Sequence, residues 1–148
     1  MVGKNTKTIK SFAEIVGDFA NAPYNEKGRG QEGVVGYSCL GLVYAYLKKI
    51  GKEVSDSFEG ITLDTFHSFA SRHKGVALKV LLRLAQSYGT DIPVHQKIAG
   101  DLVLVKAQDE TYPAIYVGNG QIMSSYLGTG VKVVKCDKNN EIIVVRRF

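Results

Sequence analysis

One residue in this chain stands where its type and setting could make it a nucleophile. Cys39 lies in Tyr37-Ser38-Cys39-Leu40-Gly41-Leu42-Val43, directly after a serine suited to cap a helix. A thiol at a helix N-terminus meets unpaired N–H groups and the positive end of the macrodipole. Both favour thiolate and are expected to pull its pKa below the free value of about 8.5. Such a nucleophile needs a base beside it. His67, in Asp64-Thr65-Phe66-His67, falls on a predicted helix and reads as a surface or groove-rim residue. His73 sits in the basic turn Ser71-Arg72-His73-Lys74 and reads as solvated. His95, in Pro93-Val94-His95, precedes the strands and is the histidine placed nearest a site mouth.

Positioning these residues falls to helices first and strands after. Thr8 to Phe19 predicts a helix with Ile9, Phe12, Val16 and Phe19 on one stripe. A loop rich in Pro, Gly and Asn follows, and Gly28, Gly30, Gly33 and Gly36 make the approach to Cys39 flexible in sequence terms. The helix capped by Ser38 should run to Ile50, burying Leu40, Val43, Leu47 and Ile50, with Gly51 as its stop. Further helices are predicted over Leu63–Ser71 and Val76–Tyr88. After Pro93 the period changes, and five strands are predicted, opening at Leu102, Ala114, Gln121, Val131 and Glu141. Gly118-Asn119-Gly120 supplies positive-φ residues for a hairpin, and Asp137–Asn140 a second turn. The expected fold is α+β: N-terminal helices packed on a meandering antiparallel sheet of about five strands, in a single domain over residues 1–148.

Composition narrows the function classes. The 148 residues are 45% apolar and 22% charged, ordinary globular values with no run long enough to span a membrane. Cys39 and Cys136 are too few for a disulfide framework and lack a second ligand at metal spacing, so they read as free thiols. No cofactor or metal is expected. The net charge of +5 reads as a mostly solvated surface, with Arg146-Arg147 counted in the excess. Neither a membrane nor a nucleic-acid partner is expected, because no basic-aromatic stacking pattern accompanies the charge. The first residues lack the apolar core of a signal peptide, so synthesis in the cytoplasm is expected.

The block around Cys39, then Gly100-Asp101-Leu102-Val103-Leu104-Val105, then Ala114-Ile115-Tyr116-Val117-Gly118-Asn119-Gly120, resembles the NlpC family of papain-like cell-wall endopeptidases. That family carries an Asp-Cys-Ser-Gly-Leu-Val-like helix start, a Gly-Asp-Leu-Val-like strand and a His-Val-Gly-Ile-Tyr-x-Gly-Asn-Gly-like hairpin. The resemblance runs from Pro23 to Val134. Leu40 and the Gly28-Arg29-Gly30 approach look most like members found in phage tails.

The resemblance implies a nucleophilic cysteine, a histidine base and a third polar residue that orients the histidine. The nucleophile carries over to Cys39, and backbone N–H groups beside it would hold the oxyanion of a thioester-forming attack. The base position falls on Tyr112 and the orienting position on Ser124. A phenol with a pKa of about 10 is a poor base near neutral pH, and losing base and acid assistance removes roughly a hundred- to ten-thousand-fold. Tyr112 and Ser124 are expected to face Cys39 across a groove, with Tyr37, Ser38 and His95 as candidate binding residues. The function implied is a catalytically impaired relative of a peptidoglycan endopeptidase, serving as a structural or binding component of a phage tail or virion. The alternative is an active cysteine endopeptidase or amidase that cleaves peptidoglycan stem peptides. Expected partners are the peptidoglycan peptide or tail proteins, with homo-oligomerisation left open.

Overall fold

The computed structural model describes residues 11–52, 57–58, 61–62, 79, 82–84, 86–108 and 110–148. Helix α1 spans Phe12–Phe19. Its start is set by a reciprocal capping box, in which the Glu14 amide donates to Ser11 Oγ at 3.2 Å and the Ser11 amide to Glu14 Oε1 at 3.1 Å. The buried pair is Ile15 and Phe19, one turn apart, with Phe12 and Val16 partly covered beside them. Ile9, expected on this stripe, lies outside the described residues.

Helix α2 spans Cys39–Lys49. Ser38 caps it by accepting the Gly41 amide at 2.9 Å, as its sequence position suggests. At the other end Gly51 adopts φ +81°, and the Lys52 amide reaches the Leu47 carbonyl at 2.8 Å. Leu42, Ala45 and Tyr46 are buried along with the expected Leu40, Val43 and Leu47. The helix is covered on more than one stripe because α1 and the sheet both pack on it. Of the described residues of the expected Val76–Tyr88 helix, 79, 82–84 and 86–87 are helical, while Tyr88 already lies in a bend. The Leu63–Ser71 helix lies outside the described residues.

Strands β1 (Ser57–Phe58) and β2 (Ile61–Thr62) form a small hairpin. The main sheet contains β3 (Thr90–Ile92), β4 (Leu102–Ala107), β5 (Glu110–Gly118), β6 (Gln121–Tyr126), β7 (Gly130–Lys135) and β8 (Glu141–Arg147). It is antiparallel throughout, in the order β3-β8-β4-β5-β6-β7. The fold is α+β as expected, with two corrections. The sheet has six strands, because the short polar segment Thr90-Asp91-Ile92 pairs with the end of β8. The meander also stops at β7, and β8 crosses back to pair with β4, where it is bulged opposite Leu104 and Val105. The β5–β6 turn is made by Gly118, Asn119 and Gly120, all at positive φ.

Both faces of the sheet are apolar, which is why β4 reads as an unbroken apolar run. On one face Ile115, Met123 and Val131 pack under α1 and α2. The other face carries a separate cluster including Val103, Val105, Ala114, Ile122 and Val145.

Two arginines at the end of β8 hold one edge of this assembly. Arg146 is buried and donates to the carbonyls of Gln86, Tyr88 and Gly89 at 2.8–3.2 Å, at and just past the helical residues 86–87. Arg147 makes a two-pronged pair with buried Asp101, Nε to Oδ1 and Nη2 to Oδ2, both 2.8 Å. Asp101 also accepts the Ile98 amide at 2.9 Å. The expectation that Arg146-Arg147 belong to a solvated basic surface is therefore corrected.

Candidate active site

Cys39 is fixed by the loop before it. Pro23 to Arg29 folds back on residues 36–38. The Tyr37 amide donates to the Pro23 carbonyl, the Asn25 amide to the Tyr37 carbonyl and the Ser38 amide to the Gly28 carbonyl, each at 3.0 Å. The Gly28 carbonyl fills the space a Cβ on Gly41 would need, and a Cβ on Gly28 would meet the Gly36 carbonyl. Gly36, at φ +92°, likewise leaves no room for a Cβ beside the Pro23 carbonyl. Gly28 and Gly36 thus serve close backbone approach, and the loop is a clamp on the start of α2.

A pocket of about 390 Å³ opens at this point. Cys39 and Ser38 line it from α2, and Tyr24 from the clamping loop. Glu110, Thr111 and Tyr112 come from the start of β5, Ser125 and Tyr126 from the end of β6, and Asn140 from the β7–β8 turn. The Tyr112 phenol belongs to the cluster on the face away from α2. It donates to Asn140 Oδ1 at 3.1 Å and lies 3.1 Å from the Tyr126 hydroxyl. With its own proton given to Asn140, Tyr112 must accept from Tyr126. The two rings meet edge to face with centroids 5.6 Å apart.

The electrostatics follow from burial. The Cys39 thiol is pushed up to about 11, chiefly by burial; the Leu40 and Cys39 amides oppose the rise and the Glu110 charge adds to it. This corrects the expectation of a lowered pKa: the helix start does favour thiolate, but desolvation outweighs it. Tyr24 is pushed up to about 12 by burial, then by Cys39 and Glu26. Burial also raises Tyr112 and Tyr126, and the bond that Tyr126 donates to Tyr112 raises the donor further. Near neutral pH the pocket therefore holds a thiol and three phenols, all protonated.

The structure brings Cys39, Ser38 and Tyr112 to one pocket and leaves Ser124, Tyr37 and His95 off its described lining. Ser124 is fully buried and donates to the Pro113 carbonyl at 3.0 Å. The register explains this correction: Ile115 pairs with Met123, which sets Tyr126 opposite Tyr112 and Ser124 opposite Ala114. Tyr37 packs its ring on Phe19 with centroids 5.2 Å apart, and its carbonyl accepts Ser125 Oγ at 2.6 Å, so it supports the loop. His95 is exposed on a single 3₁₀ turn, Val94–Gln96, away from the pocket lining. His67 and His73 lie outside the described residues. Tyr126 could have been found by counting the hairpin register through Gly118–Gly120. Tyr24, Glu110 and Asn140 are brought in by long-range pairing and carried no local signal.

A cysteine on the first turn of a helix, packed on an antiparallel sheet and facing the start of its second long strand, defines a class of thiol-hydrolase fold. The NlpC/P60 family model matches residues 21–144, and the chain belongs to that family. No curated protein sequence matches it significantly. Among solved structures it is similar to the NlpC/p60 domain of the peptidoglycan hydrolase SagA, at 23% identity and a TM-score of 0.57, covering 92% of this chain and 96% of that one. It is similar to Rv1477, a hypothetical invasion protein of Mycobacterium tuberculosis, at 20% identity and a TM-score of 0.57, covering 92% of this chain but 59% of that one. RipD (Rv1566c) from Mycobacterium tuberculosis is described as a non-catalytic NlpC/p60 domain protein adapted to peptidoglycan binding. The similarity there is 19% identity and a TM-score of 0.52, covering 93% of this chain and 98% of that one. At these identities the likeness is one of fold.

Proposed function

We propose that this chain is a catalytically impaired NlpC/P60 module that grips peptidoglycan stem peptide in the Cys39 pocket, carried as a binding component of a phage tail or other virion. The observation that carries the reading is the make-up of the pocket around Cys39: no imidazole or cation lines it among the described residues, and burial pushes the thiol up to about 11. Tyr112, at the position the family resemblance assigns to the base, has its hydroxyl committed to Asn140 and Tyr126. Attack on an unactivated amide needs a thiolate and an acid for the leaving amine, and the described lining supplies neither. A non-catalytic, peptidoglycan-binding protein of similar fold gives the reading a precedent. Placement in a virion, with synthesis in the cytoplasm and incorporation into the particle, is supported by the phage-tail look of Leu40 and Gly28-Arg29-Gly30.

The test is to incubate the purified chain with insoluble peptidoglycan and with soluble stem peptides. Co-sedimentation is expected, with no new products by mass spectrometry and no change in Cys39→Ala. Cleavage that disappears in Cys39→Ala would establish an active endopeptidase instead. Failure to sediment would overturn the binding reading.

A further inference from the structure

We infer that the open edge of β7, from Val133 to Lys135, docks an extended acidic segment of a partner protein, which joins the sheet as a further strand. This surface is apart from the Cys39 pocket and does not depend on what that pocket binds. β7 is an edge strand of the six-stranded sheet. Its first part is already covered: the Val131 amide donates to the Ala22 carbonyl at 2.8 Å, and the Asn21 amide donates to the Val131 carbonyl at 3.3 Å. Backbone direction alternates along an antiparallel strand, so Val133 and Lys135 turn their N–H and C=O groups the same way as Val131, away from β6. The Cys136 amide keeps to the alternation, pointing back to the Gly120 carbonyl at 2.8 Å. The outward groups of Val133 and Lys135 meet no backbone partner among the described residues.

The side chains along this edge fit one kind of strand. Val133 and Lys135 share a face, Val133 being 41% exposed and Lys135 open to water beside it. Lys138 follows, exposed in the next turn, and no ion pair among the described residues engages either lysine. Asp137, between them, turns its carboxylate to the Asn139 amide at 2.7 Å. A strand laid here would set an apolar side chain opposite Val133 and a carboxylate opposite Lys135, two residues apart on one face. A second copy of this chain fits poorly. It would bring lysine to lysine and a net charge of +5 to +5, the arrangement by which lysines guard sheet edges against self-pairing.

The probe is the synthetic peptide acetyl-Thr-Val-Thr-Glu-Thr-amide, titrated to millimolar concentration into the isotope-labelled full chain and followed by NMR. The Val133 and Lys135 amides should shift and gain protection from hydrogen exchange. Lysine in place of the peptide's glutamate should weaken binding about fivefold, and Lys135→Glu should reverse that preference. Two further peptides test the backbone without altering the protein, one methylated at the glutamate amide and one at the middle threonine amide. Neighbouring amides of a strand point to opposite sides, so one form should lose at least about fivefold and the other stay within about twofold of the parent. Equal loss from both forms, shifts that miss Val133 and Lys135, no shift at all, or a charge preference that survives Lys135→Glu overturns the inference. Protection of the Val133 amide that grows with chain concentration in the absence of peptide also overturns it, since the occupant would then be a second copy.

Discussion

The two ends of β4 are built on opposite electrostatic plans. Where β4 begins, Asp101 is buried with its charge met by Arg147 and the Ile98 amide, and Arg146 on the neighbouring strand is buried against three carbonyls. Where β4 ends, at Ala107, the pocket holds a neutral thiol and neutral phenols, two of them bonded to each other, with Glu110 the one carboxylate among the described lining residues. Buried charge is tolerated where it is fully paired, and it costs several kcal/mol where it is not. A thiolate at Cys39 would be such an unpaired charge. The chain thus places buried ionic groups at the end that holds the sheet together and keeps the family's chemical end uncharged inside.

The comparison breaks most readily at Arg146. Truncation by Arg146→Ala leaves the Gln86, Tyr88 and Gly89 carbonyls without their charged donor, and hydrogen bonds to charged groups contribute about 1.5–3 kcal/mol. A loss of about 3 kcal/mol in urea unfolding is expected. Cys39→Ala, which removes one neutral sulfur with no charged partner, should cost under about 1 kcal/mol. A larger loss at Cys39 than at Arg146 would reverse the assignment of the structural and chemical ends.

Acid sharpens it next. Burial alone would raise the Asp101 carboxyl, but the Arg147 hydrogen bonds, the Ile98 amide and the Arg147 charge together hold it below 3.8, its ordinary value. A folded pKa below the unfolded one means the unfolded chain takes up protons first. The stability Asp101 contributes is therefore complete above the ordinary carboxylate value and lost as pH falls through the lower folded value. Asp101→Asn should unfold at lower urea than the wild type at neutral pH, and the gap should narrow in acid. A gap independent of pH would mean that the Asp101–Arg147 pair carries no charge-dependent stability.

What was legible in the sequence is what short-range chemistry dictates. Ser38 announces the start of α2, Gly51 its end, and Gly118-Asn119-Gly120 the hairpin, each through backbone requirements within a few residues. Cys39 at the helix start was legible for the same reason. The return of β8 to β4 was not, since antiparallel order between distant strands leaves no local mark. With it went the roles of Arg146 and Arg147, whose partners lie 46 to 60 residues away. Gly28 and Gly36 read as flexibility because a glycine serving close approach looks like any other until its neighbour across space is known. The family position points to Ser124, whereas the hairpin register sets Tyr126 opposite Tyr112.

The smallest expected effect lies in the pocket itself. Tyr112→Phe removes the donor to Asn140 and the acceptor for Tyr126, and each site is partly open to water that can replace the lost bond. About 1 kcal/mol of stability should go, the usual net contribution of a neutral hydrogen bond. Thiol reactivity is the more telling readout. If Tyr112 is only a neighbour in a neutral network, the rate of Cys39 alkylation by iodoacetamide should stay within about twofold of wild type. In both proteins it should climb as pH rises toward the thiol value of about 11, because only the thiolate attacks. A tenfold or larger change in that rate, equivalent to about 1.4 kcal/mol, would show the phenol acting on the sulfur after all. That would make the pocket a coupled acid–base site and set aside the electrostatic contrast between the two ends of β4.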